Sequence, residues 1–220
     1  LQMRDSKLPV IAAPVGMSIG GGFEVVLHAD HVVSHANSVM GLVESFVGVV
    51  PAGGGCKEML YRWTEKLNDT QKGAWKSFMN IGLGRKANSP QEADALAMRR
   101  ADDVFQMNRD RILNIALSKL DDTKKASQRS PLALSGAEHF KEMLEWLEVN
   151  NKKGMLTPHD VTVGTEIGRI MSGGDCPAGT VFSEQEILDA ERSSFITLAQ
   201  TQETQARIVS MLDNGVTLRN

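Results

Sequence analysis

The chain has 220 residues, enough to bury one sizeable hydrophobic core. Hydrophobic residues make up 41% of it and charged residues 23%, as in globular proteins, and a net charge of −3 argues against a nucleic-acid-binding function. Two cysteines, Cys56 and Cys176, are too few for a disulfide framework, which favours reduced thiols in a cytoplasmic protein. No apolar run is long enough to span a bilayer, so no membrane segment is predicted.

A strand, a glycine turn and the start of a helix are predicted between residues 9 and 27. β-Branched and small apolar residues fill the run before Gly16, which is typical of a strand buried on both faces. Three consecutive glycines, 20–22, then precede a helix that continues through Leu27. The free N–H groups at a helix start favour negative charge, and Glu24 follows within one turn.

Three interpretations of this stretch are open at this point. The glycines can serve close packing alone, or residues 16–20 can be the G-x-S-x-G motif of a serine hydrolase with Ser18 as nucleophile. The third interpretation is an oxyanion hole of backbone N–H groups served by a carboxylate acid/base. A hydrolase needs a downstream histidine, and His139 and His159 lie in amphipathic helical patterns where surface positions are expected, which disfavours it.

Short strand patterns alternate with helix patterns up to about residue 120. Strands are predicted at 31–34, 39–42 and 103–105, and helices at 56–65, 70–81, from 90 onward and at 108–120. Ser89, Pro90 and Glu92 form a strong helix start, with Ser89 as the cap and Glu92 completing a capping box.

A second carboxylate, Glu44, ends the strand predicted at 39–42 and precedes another glycine turn at 47–55. Glu24 and Glu44 are therefore candidates for a two-carboxylate acid/base site. Because nearby carboxylates repel, one of them tends to keep its proton near neutral pH while the other activates water. No histidine and cysteine cluster has the spacing of metal ligands, so no metal is predicted.

The composition changes near residue 121. Residues 121–130 are polar and charged and are interpreted as a linker between a core at 1–120 and an all-helical region at 131–220. Helix starts are predicted at Thr157 and Ser183 in that last region.

Several motifs in order resemble the enoyl-CoA hydratase/isomerase (crotonase) superfamily. The matching runs are Pro9-Val10-Ile11-Ala12-Ala13, Gly20-Gly21-Gly22-Phe23-Glu24, His28-Ala29-Asp30, Met40-Gly41-Leu42-Val43-Glu44, Gly48-Val49-Val50-Pro51-Ala52-Gly53-Gly54 and the helix start from Gly84 to Ala93. The resemblance implies an α/β fold, a crotonase-type core of repeated ββα units that lacks its N-terminal part.

The glycine turn takes its expected role from this resemblance. Gly21 would donate its backbone N–H to the thioester oxygen of an enoyl-CoA, and the flanking Gly20 and Gly22 would bind the substrate. The family's other oxyanion donor lies upstream of Leu1, so the chain is expected to be part of a longer polypeptide.

The two glutamates take their expected role in the same way. Glu24 and Glu44 match the hydratase pair that holds water and moves protons, and Ala52 stands where a backbone N–H positions that water. Retention of both glutamates favours a hydratase over an isomerase.

The tail is similar to bacterial fused enzymes that carry a 3-hydroxyacyl-CoA dehydrogenase upstream of the hydratase, in the runs Gly173-Gly174-Asp175-Cys176-Pro177-Ala178-Gly179-Thr180, Ser183-Glu184-Gln185 and Thr217-Leu218-Arg219-Asn220. This implies hydration of trans-2-enoyl-CoA to 3-hydroxyacyl-CoA in fatty-acid β-oxidation, with NAD bound only by the upstream domain and a homo-oligomer as the assembly. The alternatives are an impaired domain retained for CoA binding or for docking to the dehydrogenase, an enoyl-CoA isomerase, and a purely docking role for residues 131–220.

Overall fold

The computed structural model describes residues 2–3, 5–125 and 128–220. Its strands are short: β1 (Ile11–Ala12), β2 (Met17–Ile19), β3 (His31–His35), β4 (Val39–Gly41), β5 (Lys86–Ala87), β6 (Val104–Gln106), β7 (Leu132–Ala133) and β8 (Val181–Phe182). The helices are α1 (Gly21–Leu27), α2 (Gly55–Leu67), α3 (Thr70–Gly82), α4 (Pro90–Ala95), α5 (Ile112–Ser118), α6 (Gly136–Lys152), α7 (Pro158–Ser172), α8 (Glu184–Ala199) and α9 (Gln202–Asn214). Two 3₁₀ turns cover Glu44–Val47 and Arg109–Arg111.

The chain folds into two compact units that do not follow the chain order. The first unit comprises residues 1–42 and 86–129, and the second comprises residues 43–85 and 130–220. Each unit is thus built from two separated segments. The domain boundaries drawn along the sequence at 120 and 130 stay a prediction.

The first unit holds the predicted ββα pattern. In one sheet, β1, β3 and β6 lie in that order and are parallel, with Ile11 opposite His31 and Val33 opposite Val104. In the other, β2 pairs in parallel with β4, and β5 adds to β4 antiparallel. Side chains from β3 and α5 form the core beneath the first sheet; they are Val33, Ile112 and Ala116, with Ile11, Val104 and Ile115 packed against them.

A strand was expected in the run before Gly16 and β1 lies there, but its expected burial on both faces is wrong. β1 and β2 are separate strands, because Gly16 between them takes a left-handed φ of +87°. β1 lies at the edge of its sheet and its residues are half-buried. The strands predicted at 31–34 and 39–42 and the helix through Leu27 are confirmed.

The second unit is mainly helical. Helices α2 and α3 pack closely, since a Cβ on Gly73 would lie 2.7 Å from the Thr64 backbone nitrogen. α7 packs against both α3 and α6, and Gly164 lets the side chain of Leu147 approach. A two-stranded antiparallel sheet, β7 with β8, joins Leu132 to Phe182 and was not predicted, because two-residue strands carry no alternating pattern.

Helix caps show which local predictions hold. Thr157 and Ser183 each cap a helix, and both starts are full capping boxes closed by Asp160 and Glu186. At α4, Ser89 accepts the Glu92 N–H as predicted, but the Glu92 carboxylate accepts from Asn88 instead of Ser89. The helix predicted at 108–120 is shorter, a 3₁₀ turn followed by α5.

In the described part of the chain, none of the helices is both long enough and apolar enough to cross a membrane. Both cysteines are free thiols, with Cys56 buried and Cys176 half-buried.

Candidate functional site

The first glycine turn is fixed by its own backbone. Gly20 has a φ of 56° and a ψ of −134°, which glycine adopts readily, and its N–H donates to the Gly41 carbonyl at 2.9 Å. The Gly20 carbonyl accepts from Phe23 at 2.8 Å and from Glu24 at 3.0 Å. The start of α1 is thus held to β4 before any ligand arrives.

Gly21 and Gly22 follow on the exposed side of this turn. Within the described ranges neither residue donates its backbone N–H to a protein acceptor, as expected for the first positions of a helix. A Cβ placed on Gly21 would lie 3.9 Å from Glu24 Oε2 and would otherwise meet open space. Free N–H groups and a carboxylate are therefore adjacent at the start of α1.

Burial holds Glu24 in this position. Its side chain is only 9% exposed, and Phe23, fully buried beside it, anchors the first turn of the helix in the core. The structure thus brings four predicted site residues together in the first unit, namely Gly20, Gly21, Gly22 and Glu24.

Ser18 lies at the centre of the G-x-S-x-G run. Its hydroxyl donates to the Gly22 carbonyl at 3.2 Å, within its own turn. The two histidines considered as partners were expected at the surface, and this is wrong, since His139 and His159 are each 4% exposed. His139 Nδ1 bonds to Ser135 Oγ at 2.7 Å and His159 Nε2 to Thr204 Oγ1 at 2.8 Å, so each has a partner within the second unit.

Glu44 opens a 3₁₀ turn in the second unit. Both of its carboxylate oxygens are shielded from solvent. Its backbone carbonyl accepts the Val49 N–H at 3.2 Å, and Gly48 closes the turn with a left-handed φ of 85°.

Helix α9 supports this turn from the far end of the sequence. The Thr204 hydroxyl donates to the Gly48 carbonyl at 2.7 Å, and the buried Arg207 donates to the Ser45 carbonyl at 3.3 Å. Since the Thr204 proton is used on Gly48, His159 Nε2 must be the donor in its bond to Thr204. Burial first, and then the Arg207 charge, hold the pKa of His159 below its ordinary value of 6.5.

The second glycine turn leads into α2. Gly54 has a left-handed φ of 101°, and the helix begins at the next residue. The carboxylate of the fully buried Glu191, on α8, accepts the N–H of Gly54 at 2.9 Å and that of Lys57 at 2.5 Å. A protein carboxylate thus occupies the anion-binding end of this helix.

Further charges surround this carboxylate inside the second unit. The Lys57 ammonium is fully buried and bonds to Glu58 at 2.8 Å and Glu184 at 3.1 Å. Arg62 lies 3.6 Å from the other Glu58 oxygen. Ala52, two residues before Gly54, is half-buried, and its N–H donates to no protein acceptor in the described residues.

Glu44 and Ala52 lie in the second unit, whereas Glu24 lies in the first. That the three residues act together stays a prediction. Sequence reasoning missed Glu191, Thr204 and Arg207. No local pattern identifies them, because their partners lie between 134 and 162 residues away along the chain.

Part of the chain matches a known protein family. Residues 1–66 match the family model described as Enoyl-CoA hydratase/isomerase. The whole chain is 31% identical to a probable 3-hydroxyacyl-CoA dehydrogenase of Bacillus subtilis (strain 168), of which it covers 28%. A segment of 62 residues, 28% of the chain, is 36% identical to 9% of a putative fatty acid oxidation complex trifunctional enzyme of Rickettsia felis.

A solved structure shows the same fold. The crystal structure of carnitinyl-CoA hydratase from Mycobacterium avium superposes with a TM-score of 0.54 at 16% identity, over 93% of this chain and 60% of that one. The chain spans little more than a quarter of the length of the Bacillus relative described above.

Proposed function

Because residues 1–66 match the family model described as Enoyl-CoA hydratase/isomerase, we propose that this chain hydrates trans-2-enoyl-CoA to 3-hydroxyacyl-CoA. Water adds across the C2–C3 double bond, with the hydroxyl going to C3 and a proton to C2. The observation that carries the proposal is the start of α1, where the Gly21 N–H, which has no protein acceptor among the described residues, lies beside the buried Glu24 carboxylate.

In this mechanism the glycine turn stabilises charge. Negative charge develops on the thioester oxygen as the hydroxyl adds, and the Gly21 N–H is fixed in advance to receive it. Gly20 and Gly22 leave the backbone open to the substrate, since neither carries a side chain.

The proton transfers fall to the two glutamates. Glu24 and Glu44 hold the water, one taking its proton and the other donating a proton to C2, and the Ala52 N–H orients the water. The Glu44 carboxylate oxygens are buried from bulk solvent, and burial strengthens their electrostatic interaction with a bound water and substrate.

We further propose that the chain is one domain of a longer, cytoplasmic and homo-oligomeric polypeptide. Its coverage of 28% of a relative named as a 3-hydroxyacyl-CoA dehydrogenase supports this. The neighbouring domain would oxidise the hydration product with NAD, while this chain binds acyl-CoA and no cofactor of its own. The name of the Rickettsia relative supports fatty-acid oxidation as the setting.

The experiment is an assay of hydration, followed by loss of the conjugated enoyl absorbance of a short enoyl-CoA. We expect activity in the longer polypeptide, and about 10³-fold or greater loss of turnover in Glu44→Gln and Glu24→Gln with little loss of stability. The exposed Asp189→Asn on α8 is the control, with activity unchanged.

Each other outcome identifies an alternative. Full turnover in Glu44→Gln would reject the assignment of roles, and movement of a double bond without hydration would identify an isomerase. No turnover in the longer polypeptide would leave a domain that binds CoA or docks the dehydrogenase.

A further inference from the structure

A buried histidine in the first unit has an unusual environment. His31 begins β3 and is only 6% exposed. Its Nε2 is buried and makes no hydrogen bond to any residue in the described ranges, and its Nδ1 lies 4.0 Å from Asp102 Oδ2. Nδ1 is therefore the ring nitrogen available to a ligand beside Asp102, and the ring proton then lies on Nε2.

Asp103 supplies a rigid oxygen donor at the same place. Its carboxylate is 5% exposed and accepts the N–H of Val32 at 2.9 Å and the N–H of Arg100 at 2.7 Å. Each oxygen keeps a second lone pair, since a carboxylate has about four acceptor positions. The two backbone bonds hold the carboxylate still beside the first residues of β3 and β6.

Asp102 supplies a mobile donor. Its side chain is 72% exposed, so it can turn at little cost. One donor atom from each of His31, Asp102 and Asp103 lies within 4.8 Å of the other two. Metal–ligand bonds of about 2.1 Å place neighbouring donors about 3 to 4 Å apart, so small shifts of these side chains would bring the three into range.

A cavity of about 300 Å³ is lined by two of these residues, His31 and Asp102. Asp122 lines it together with Lys119 and Lys124, whereas the Asp30 carboxylate at its edge is already bonded to Lys125 and the Val10 N–H, each at 2.7 Å. The lysines reduce the attraction for a cation, so binding must come from the directed donors and not from net charge.

We propose that His31, Asp102 and Asp103 form a divalent metal site. One imidazole and two carboxylates suit Zn²⁺ or Co²⁺, because Mg²⁺ and Ca²⁺ prefer oxygen donors alone. The metal would join β3 to the segment that precedes β6, which are 71 residues apart in sequence. The sequence predicted no metal, because this separation leaves no spacing motif. The site is independent of the hydratase proposal.

The test uses metal-free, tag-free protein titrated with Co²⁺, followed by calorimetry and by the visible absorption of bound Co²⁺. We expect one equivalent bound, with competition by Zn²⁺. Asp102→Asn, whose exposed side chain can be replaced without disturbing the core, should weaken binding at least 10-fold, and so should His31→Ala. The matched control is Asp122→Asn, which removes the same charge from the same cavity without removing a donor and should bind as the unmodified chain does.

Three results would overturn the proposal. Equal weakening by Asp122→Asn and Asp102→Asn would show that Co²⁺ responds only to the charge of the cavity. Unchanged binding in both His31→Ala and Asp102→Asn would place the metal elsewhere among the chain's five histidines. No binding at all would leave the three side chains as a polar cluster without a metal.

Discussion

The two glycine turns look alike in sequence and differ in what faces them. At the start of α1, the backbone N–H groups of Gly21 and Gly22 donate to no acceptor among the residues that the structure describes. At the start of α2, the Glu191 carboxylate already binds the N–H groups of Gly54 and Lys57. One helix start is open to an anionic ligand, and the other is closed by the protein itself.

The difference shows that a glycine-rich helix start can serve either to bind a ligand or to hold the fold together. A helix N-terminus favours any anion that reaches it, whether a substrate oxygen or a side chain from elsewhere in the chain. Which of the two occurs depends on a residue 137 positions away from Gly54, and not on the glycines. A glycine-rich helix start therefore indicates a ligand site only where the fold supplies no carboxylate of its own.

The largest effect is expected from opening the closed turn. Glu191→Ala leaves two buried N–H groups without an acceptor and should lower the free energy of unfolding by about 3 to 5 kcal/mol. Urea unfolding followed by tryptophan fluorescence measures this in the second unit, which holds all three tryptophans. Asp189→Asn on the exposed side of α8 is the control. Equal stability of Glu191→Ala and the unmodified chain would mean that the turn needs no carboxylate.

The next largest effect, on hydration turnover, is expected from removing the Gly21 N–H at the start of α1. Gly21 is the first residue of α1, where proline is tolerated, so Gly21→Pro removes the N–H and keeps the helix start. We expect hydration turnover to fall by about 10²- to 10³-fold. Gly21→Ala keeps the N–H and has room for its methyl group, so it should retain most activity. Equal turnover in the two variants would remove the Gly21 N–H from the mechanism.

Substitutions at two glycines with a left-handed φ separate the cost of backbone strain from the cost of steric crowding. Gly16→Ala, at a φ of +87° with open space within 4 Å of the new Cβ, should cost about 1 kcal/mol of stability. Gly48→Ala, at +85°, also places its Cβ 2.7 Å from Thr204 Oγ1 and 3.1 Å from the Thr204 Cα, and should cost about 2 kcal/mol more. Urea unfolding followed by circular dichroism measures both. A loss as large for Gly16→Ala as for Gly48→Ala would contradict the role of α9.

The smallest expected effect is a dependence of the second unit's stability on pH. Burial is the main cause that holds the pKa of both His139 and His159 below 6.5. Between that lowered pKa and 6.5 the unfolded chain binds more protons than the folded chain, so stability falls as the pH falls below about 6.5. Tryptophan-monitored urea unfolding at pH 7.5 and 5.5 should show this loss, and His159→Gln should reduce it. Stability that is unchanged or higher at pH 5.5 would disprove it.

Local patterns predict the elements that local forces determine. The strand at β3, the helix through Leu27 and the caps at Thr157 and Ser183 are all predicted, because each depends on residues within one turn or one strand. The family resemblance adds the roles of Gly21 and Glu24, and their proximity at the start of α1 agrees with it.

Long-range partners could not be predicted in this way. The burial of His139 and His159 depends on helices that meet only in the fold, and nothing near Arg207 in sequence indicates Ser45 as its acceptor. The division into two units has the same cause, since the second unit draws on residues 43–85 and 130–220.

The support of the Glu44 turn by α9 also sets an order of events during synthesis. Residues 44–48 leave the ribosome long before Thr204 and Arg207, which follow their acceptors by 156 and 162 positions. At about 5–20 residues per second, the turn waits roughly 10–30 s for the hydrogen bonds that fix it. The segment that carries Glu44 therefore reaches its final geometry only after α9 has been synthesised.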